Sequence, residues 1–112
     1  MPIENWSDTV LLVELTDDPQ FTDDLNALLE TVEKDSDKDI VLNFQGVRFL
    51  NSSNIAKLLK LRKVQVVNNH RKLKLCAINT HVWGVFLVTG LDKIFEVYDD
   101  VASGLASLSL GG

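Results

Sequence analysis

A chain of 112 residues, 46% of them hydrophobic, has room for one core of ordinary size and none for two large domains. With 24% charged residues, six glycines and two prolines, the composition excludes a disordered, collagen-like or low-complexity chain. The formal net charge of −5 hides an asymmetry: residues 1–50 carry twelve acids and three bases, residues 51–112 four acids and eight bases. Seven of those bases fall between Lys57 and Lys74 with no acid among them. Such a run reads as a solvated helix face, with nucleic-acid contact as the lesser alternative, because nucleic-acid-binding domains tend to be basic overall. Cys76 has no second cysteine to pair with, and the N-terminal residues show no signal-peptide pattern. The longest near-continuous apolar stretch, Val82 to Val88, is far shorter than the roughly 18 to 20 residues a bilayer crossing needs. The expectation is a cytoplasmic protein without a membrane span.

In chain order, a short extended segment at Ile3 to Trp6 meets turn chemistry at Ser7-Asp8, and Thr9 to Leu15 is a β-branched and leucine run able to pair with it antiparallel. Thr16-Asp17-Asp18-Pro19 breaks the chain. Thr22-Asp23-Asp24 then opens a helix with Leu25, Leu28, Leu29 and Val32 at helical spacing, its acids suiting the positive end of the dipole. After a polar loop, Asp35 to Asp39, the run Ile40 to Phe44 has the composition of a buried central strand. Asn51-Ser52-Ser53-Asn54 supplies four consecutive capping residues ahead of a helical pattern from Ile55 to about Asn68. Leu73 to Ile78 is another buried strand, and Asn79-Thr80 caps a helix that stops at Thr89-Gly90. Ile94 to Tyr98 is a last strand, Asp99-Asp100 starts a C-terminal helix with Val101, Leu105 and Leu108, and Gly111-Gly112 should fray. Strands alternating with helices predict an α/β domain with a mostly parallel sheet, about four flanking helices and the N-terminal strand antiparallel at an edge.

Catalytic patterns are absent from the sequence. His70, His81 and Cys76 lack metal-ligand spacing, no serine sits in a Gly-x-Ser-x-Gly elbow, and no Gly-rich phosphate loop follows a strand. No enzyme activity, metal or cofactor is expected. The segment Asn51 to Asn54 stands out by position, because a strand, a short loop and two hydroxyls at a helix start place those hydroxyls beside unsatisfied N–H groups. A phosphate there is locally tolerated; the plain alternative is that Asn51, Ser52 or Ser53 only caps the helix. Projected on a wheel, Ile55, Leu58, Leu59 and Val66 form the expected core stripe, with Lys57, Lys60, Leu61, Val64 and Val67 on the other side. Aliphatics mixed with lysine on an outward face suit a protein interface, unless another helix of the domain covers them.

The stretch Val41-Leu-Asn-Phe-Gln-Gly-Val-Arg-Phe-Leu-Asn-Ser-Ser-Asn54 resembles the signature of STAS domains of the anti-sigma factor antagonist type, an apolar strand and short loop before Asp-Ser-Ser/Thr-Gly. The strand at Leu73-Lys-Leu-Cys-Ala-Ile78 and the element Val88-Thr-Gly-Leu-Asp-Lys-Ile-Phe95 agree with it, and the resemblance covers about residues 9–108 of one domain. It implies a non-enzymatic bacterial partner-switching protein that binds an anti-sigma factor of the serine-kinase type and is turned off by phosphorylation. Mapped onto this chain, Ser52 is the phosphorylated serine and Ser53 the next hydroxyl, while Asn51 stands where the family has Asp and Asn54 where it has Gly. The implied partner surface is Asn51, Ser52, Ser53 and Asn54 with Lys57, Lys60, Leu61 and Val64. A scaffold of the same fold that is not phosphorylated is the alternative, and direct nucleic-acid binding through residues 57–74 a weaker one.

Overall fold

The hydrophobic runs of the sequence become strands because apolar residues face both ways along them. The computed structural model describes residues 3–35 and 37–110. Ile3–Ser7 (β1) pairs antiparallel with Val10–Thr16 (β2), which pairs in parallel with Asp39–Gly46 (β3); Leu73–Cys76 (β4) and Glu96–Tyr98 (β5) continue the parallel ladder in chain order. Helices follow at Gln20–Lys34 (α1), Ser52–Arg62 (α2), Thr80–Thr89 (α3) and Val101–Leu110 (α4). This is the mixed-sheet α/β architecture the sequence predicts.

One face of the sheet holds the larger core. Leu11, Val13 and Leu15 of β2, Ile40, Leu42 and Phe44 of β3, and Leu73 and Leu75 of β4 pack against α1, α2 and α3. The alternate residues Val10, Leu12, Val41 and Cys76 form a second cluster under Val101, Leu105 and Leu108 of α4. Side chains alternate across a strand, so only a sheet covered on both faces needs a continuous apolar run such as Val10–Val13. Gly104 lets α4 settle closely, since a Cβ there would strike the Cys76 sulfur.

Several element ends differ from expectation. The first helix begins at Gln20, not Thr22, because Asp18 acts as a cap from outside: its Oδ1 accepts the Thr22 N–H at 3.0 Å and the Thr22 hydroxyl at 2.7 Å. The second helix starts earlier, at Ser52, and at Lys63–Asn68 it widens into a π-helix. The fourth strand stops at Cys76, because Ala77 has a φ of 60° that extended pairing cannot use. Ile94 closes a short 3₁₀ turn, Leu91–Lys93, and is exposed, so the last strand is shorter than expected. The third helix ends as read, with Gly90 at a φ of 79°. Gly111-Gly112 lies outside the described residues.

Candidate functional site

Parallel strands deliver their following loops to one edge, where open α/β sheets place their working residues. Here the β2–α1 loop carries Asp17 and Asp18, and the β3–α2 loop runs from Val47 to Asn51. Asn51 caps α2: its Oδ1 accepts the Asn54 N–H at 2.8 Å, and Asn54 Oδ1 accepts the Asn51 N–H at 3.1 Å. Asparagine thus performs both halves of a reciprocal capping box.

Both side-chain amides then turn to the same carboxylate. Asn51 Nδ2 donates to Asp18 Oδ2 at 3.2 Å, and Asn54 Nδ2 donates to the same oxygen at 2.9 Å. Asp17 grips the other half of the loop, its Oδ1 accepting the Arg48 N–H at 2.7 Å and the Phe49 N–H at 3.3 Å while Oδ2 accepts Arg48 Nε at 2.8 Å. These donors stabilise the ionised acids. The Arg48 side chain foremost holds the Asp17 carboxyl below the usual carboxylate range, and Thr22, then Asn54, does the same for Asp18.

On this clasp Asn51, Ser52 and Ser53 are exposed at the helix start. Asn54 is not; only 2% of it is exposed, because its side chain points into the clasp. Phe49, 62% exposed, meets the His81 ring edge-on at 5.8 Å, with the Arg48 guanidinium 5.7 Å over its own ring. His81 therefore adjoins the site without metal partners: no group of three or more His, Cys, Asp or Glu that could hold a metal occurs among the described residues. Cys76 is buried under α4, which pushes its thiol up to about 11 and leaves it chemically quiet.

The face of α2 requires correction. Leu61, expected outward, is fully buried, and Leu59, expected in the core stripe, is 38% exposed. The inward stripe is Asn54, Leu58, Leu61 and Gln65, rotated by about a quarter turn from the apolar projection. Its two ends are polar, so a projection that counts only apolar residues misplaces it. Gln65 Nε2 donates to Lys38 O at 2.7 Å and Lys72 O at 3.0 Å, which offsets the burial of its NH2 group. Lys60 remains exposed, Val64 is half-buried, and Lys57 donates to Asn26 Oδ1 at 2.9 Å.

The basic run does not form one face. Arg71 pairs with Asp39, and Lys74 is buried against Glu96. Asp17, Asp18, Phe49 and His81 are site residues that no motif of the sequence marks. Their signal is two carboxylates placed just after an apolar strand, where the same residues also read as a helix-breaking turn.

Fold and site together define a mixed-sheet α/β domain that presents a capped pair of serines at the carboxyl edge of its sheet. The STAS domain model matches residues 18–104, and the chain belongs to the STAS domain family. Moorella thermoacetica RsbS, solved as a variant, is similar with a TM-score of 0.81 at 17% identity, over 96% of this chain and 93% of that one. An anti-sigma-factor antagonist (STAS) domain protein of Planctomyces limnophilus gives a TM-score of 0.77 at 17% identity, over 89% and 91%. The Bacillus cell fate determinant SpoIIAA, in its phosphorylated form, gives 0.66 at 16% identity, over 90% and 93%. At these identities the likeness shows the fold.

Proposed function

We propose that this chain is a non-enzymatic anti-sigma factor antagonist in bacterial partner switching, acting in the cytoplasm. It binds an anti-sigma factor of the serine-kinase type, and Ser52 is its phosphoacceptor. The observation that carries this reading is the exposed Ser52-Ser53 pair held at the start of α2 by a clasp of three side chains, Asn51, Asn54 and Asp18. Around it, Asn51, Ser53, Lys57, Lys60, Val64 and the exposed Phe49 make the partner surface. Leu61 and Asn54 act from beneath it.

A phosphate on Ser52 adds a charge of about −1.5 to −2. The helix start accommodates that charge within the domain, while the partner interface, which cannot solvate it, is disrupted. Asn51 favours one further reading, a scaffold of the same fold that escapes phosphorylation, since it offers a kinase no charge where the family pattern has Asp. Engagement of Lys57, Arg71 and Lys74 within the domain weighs against nucleic acid.

Wild type, Ser52→Ala and Ser52→Asp, used as baits in extract of the native cell with mass spectrometry, test the proposal. Wild type and Ser52→Ala should retain a serine-kinase anti-sigma factor that Ser52→Asp loses, and ATP should then phosphorylate Ser52 in the wild-type complex. Equal retention by Ser52→Asp sinks the switch. Retention without phosphate transfer selects the scaffold.

A further inference from the structure

The carboxyl edge of the sheet holds a second feature, built from other residues than the serine loop. Between the ends of β4 and β5 and the first turn of α3 lies a cavity of about 380 Å³ lined by Ile78, Thr80, Trp83, Val97, Tyr98 and Asp99. That volume lies in the range of small-ligand sites, roughly 300 to 1,000 Å³. Its position, outside the carboxyl ends of parallel strands, is where open α/β sheets bind ligands. The strand pair stops there because Ala77 takes a left-handed φ of 60°, held by its N–H donating to Tyr98 O at 3.1 Å.

The lining has a definite chemistry. Ile78, Trp83 and Val97 are half-buried apolar walls, and Trp83 is stacked on Phe86 at 6.1 Å, which orients the indole before any ligand arrives. Thr80 and Asp99, both exposed, are polar members of the lining. Among the described residues no basic side chain lines the cavity; Lys74, whose ammonium lies 5.5 Å over the Tyr98 ring, is ion-paired with Glu96. An aromatic wall and the full charge of an exposed carboxylate in the same lining, larger than the partial positive charge of the α3 start, select a flat apolar body that carries a positive charge.

We propose that this cavity binds a small aromatic amine, its ring against Trp83, Ile78 and Val97 and its ammonium toward Asp99. The site is wired to the serine loop. Asn79, which caps α3 by accepting the Val82 N–H at 2.9 Å, donates its Nδ2 to Val47 O at 2.7 Å, and His81, two residues on, touches Phe49. Asn79 stands between Ile78 and Thr80 of the lining, so a ligand in the cavity should move the β3–α2 loop that leads into Ser52. Its consequence for partner binding rests on the partner-switching reading; ligand binding does not.

Two tryptophans, Trp6 and Trp83, make the test direct. In a Trp6→Phe variant, fluorescence reports Trp83 alone, and phenethylamine serves as probe, with phenylacetate as the same ring bearing a carboxylate. Phenethylamine should give a saturable change, phenylacetate none, and Asp99→Asn should weaken binding about three- to fivefold, as loss of an exposed ion pair allows. No saturation below about 10 mM, equal binding of phenylacetate, or no effect of Asp99→Asn overturns the site. In NMR spectra, the amides from Val47 to Asn54 should move with the same saturation curve; fixed amides overturn the coupling. Saturable binding combined with a failed partner capture leaves the site standing and rejects only the partner-switching reading.

Discussion

The carboxylate of Asp18 accepts the side-chain amide of Asn54 at 2.9 Å across 36 positions of sequence. The same Asp18 oxygen takes the amide of Asn51, so the two residues that depart from the family's signature converge on one acid. The negative charge missing from position 51 is supplied by another loop, and the side chain added at position 54 is turned inward to meet it.

This arrangement predicts the outcome of restoring the family residue. In Asn51→Asp the new carboxylate keeps the cap but faces Asp18 where an amide now donates, and like charges at that distance destabilise. The single variant should melt lower than wild type. Adding Asp18→Asn should recover part of the loss, because donor and acceptor are then exchanged with residue 51 while Asn54 Nδ2 loses its acceptor; thermal unfolding of the two singles and the double measures the coupling.

Removing the acid altogether should loosen both elements it joins. Asp18→Ala strips the Thr22 cap and both asparagine amides of their acceptor. The site is solvated, so the expected cost is about 1 kcal/mol, with faster amide exchange at Thr22 and in the β3–α2 loop.

The clasp also sets an acid limit. Asp17 and Asp18 are lowered from 3.8 in the folded chain, chiefly by the side chains of Arg48 and Thr22 respectively. A depressed folded value means the stabilisation is complete above the unfolded value and disappears as pH falls from there through the folded one. Stability should therefore be flat in this contribution at neutral pH and decline below about pH 4. Asp17→Asn together with Asp18→Asn should reduce that slope in chemical denaturation across the acid range.

The close seat of α4 predicts a coupled pair on the other face. Gly104→Ala drives a Cβ into the Cys76 sulfur and should cost about 1–3 kcal/mol as overpacking. Cys76→Ala alone opens a small void, and the double variant should be more stable than the sum of the singles predicts, a departure read from urea midpoints.

Gln65 joins the amino ends of two strands from inside a π-helical turn. Gln65→Ala leaves the Lys38 and Lys72 carbonyls without their side-chain donor and removes a fully buried side chain. The expected loss is about 2–4 kcal/mol, measured by chemical denaturation, with no change in the exposure of Ser52.

Local chemistry was legible in the sequence wherever neighbours in the chain decide the outcome. The strand runs at Val10–Val13 and Ile40–Phe44, the asparagine caps at Asn51 and Asn79, the Gly90 stop and the position of Ser52 at a helix start all depend on short-range periodicity and capping. Tertiary structure alone decided which way α2 faces, because Asn54 and Gln65 look like surface residues until Asp18 and the carbonyls of Lys38 and Lys72, just ahead of two strands, accept their amide N–H groups. It also dispersed the basic run, since pairing of Lys74 with Glu96 and of Arg71 with Asp39 follows from strand neighbours rather than from spacing. Burying a polar group is tolerable only when its partners are in place, and those partners are brought together by the fold, not by the local sequence.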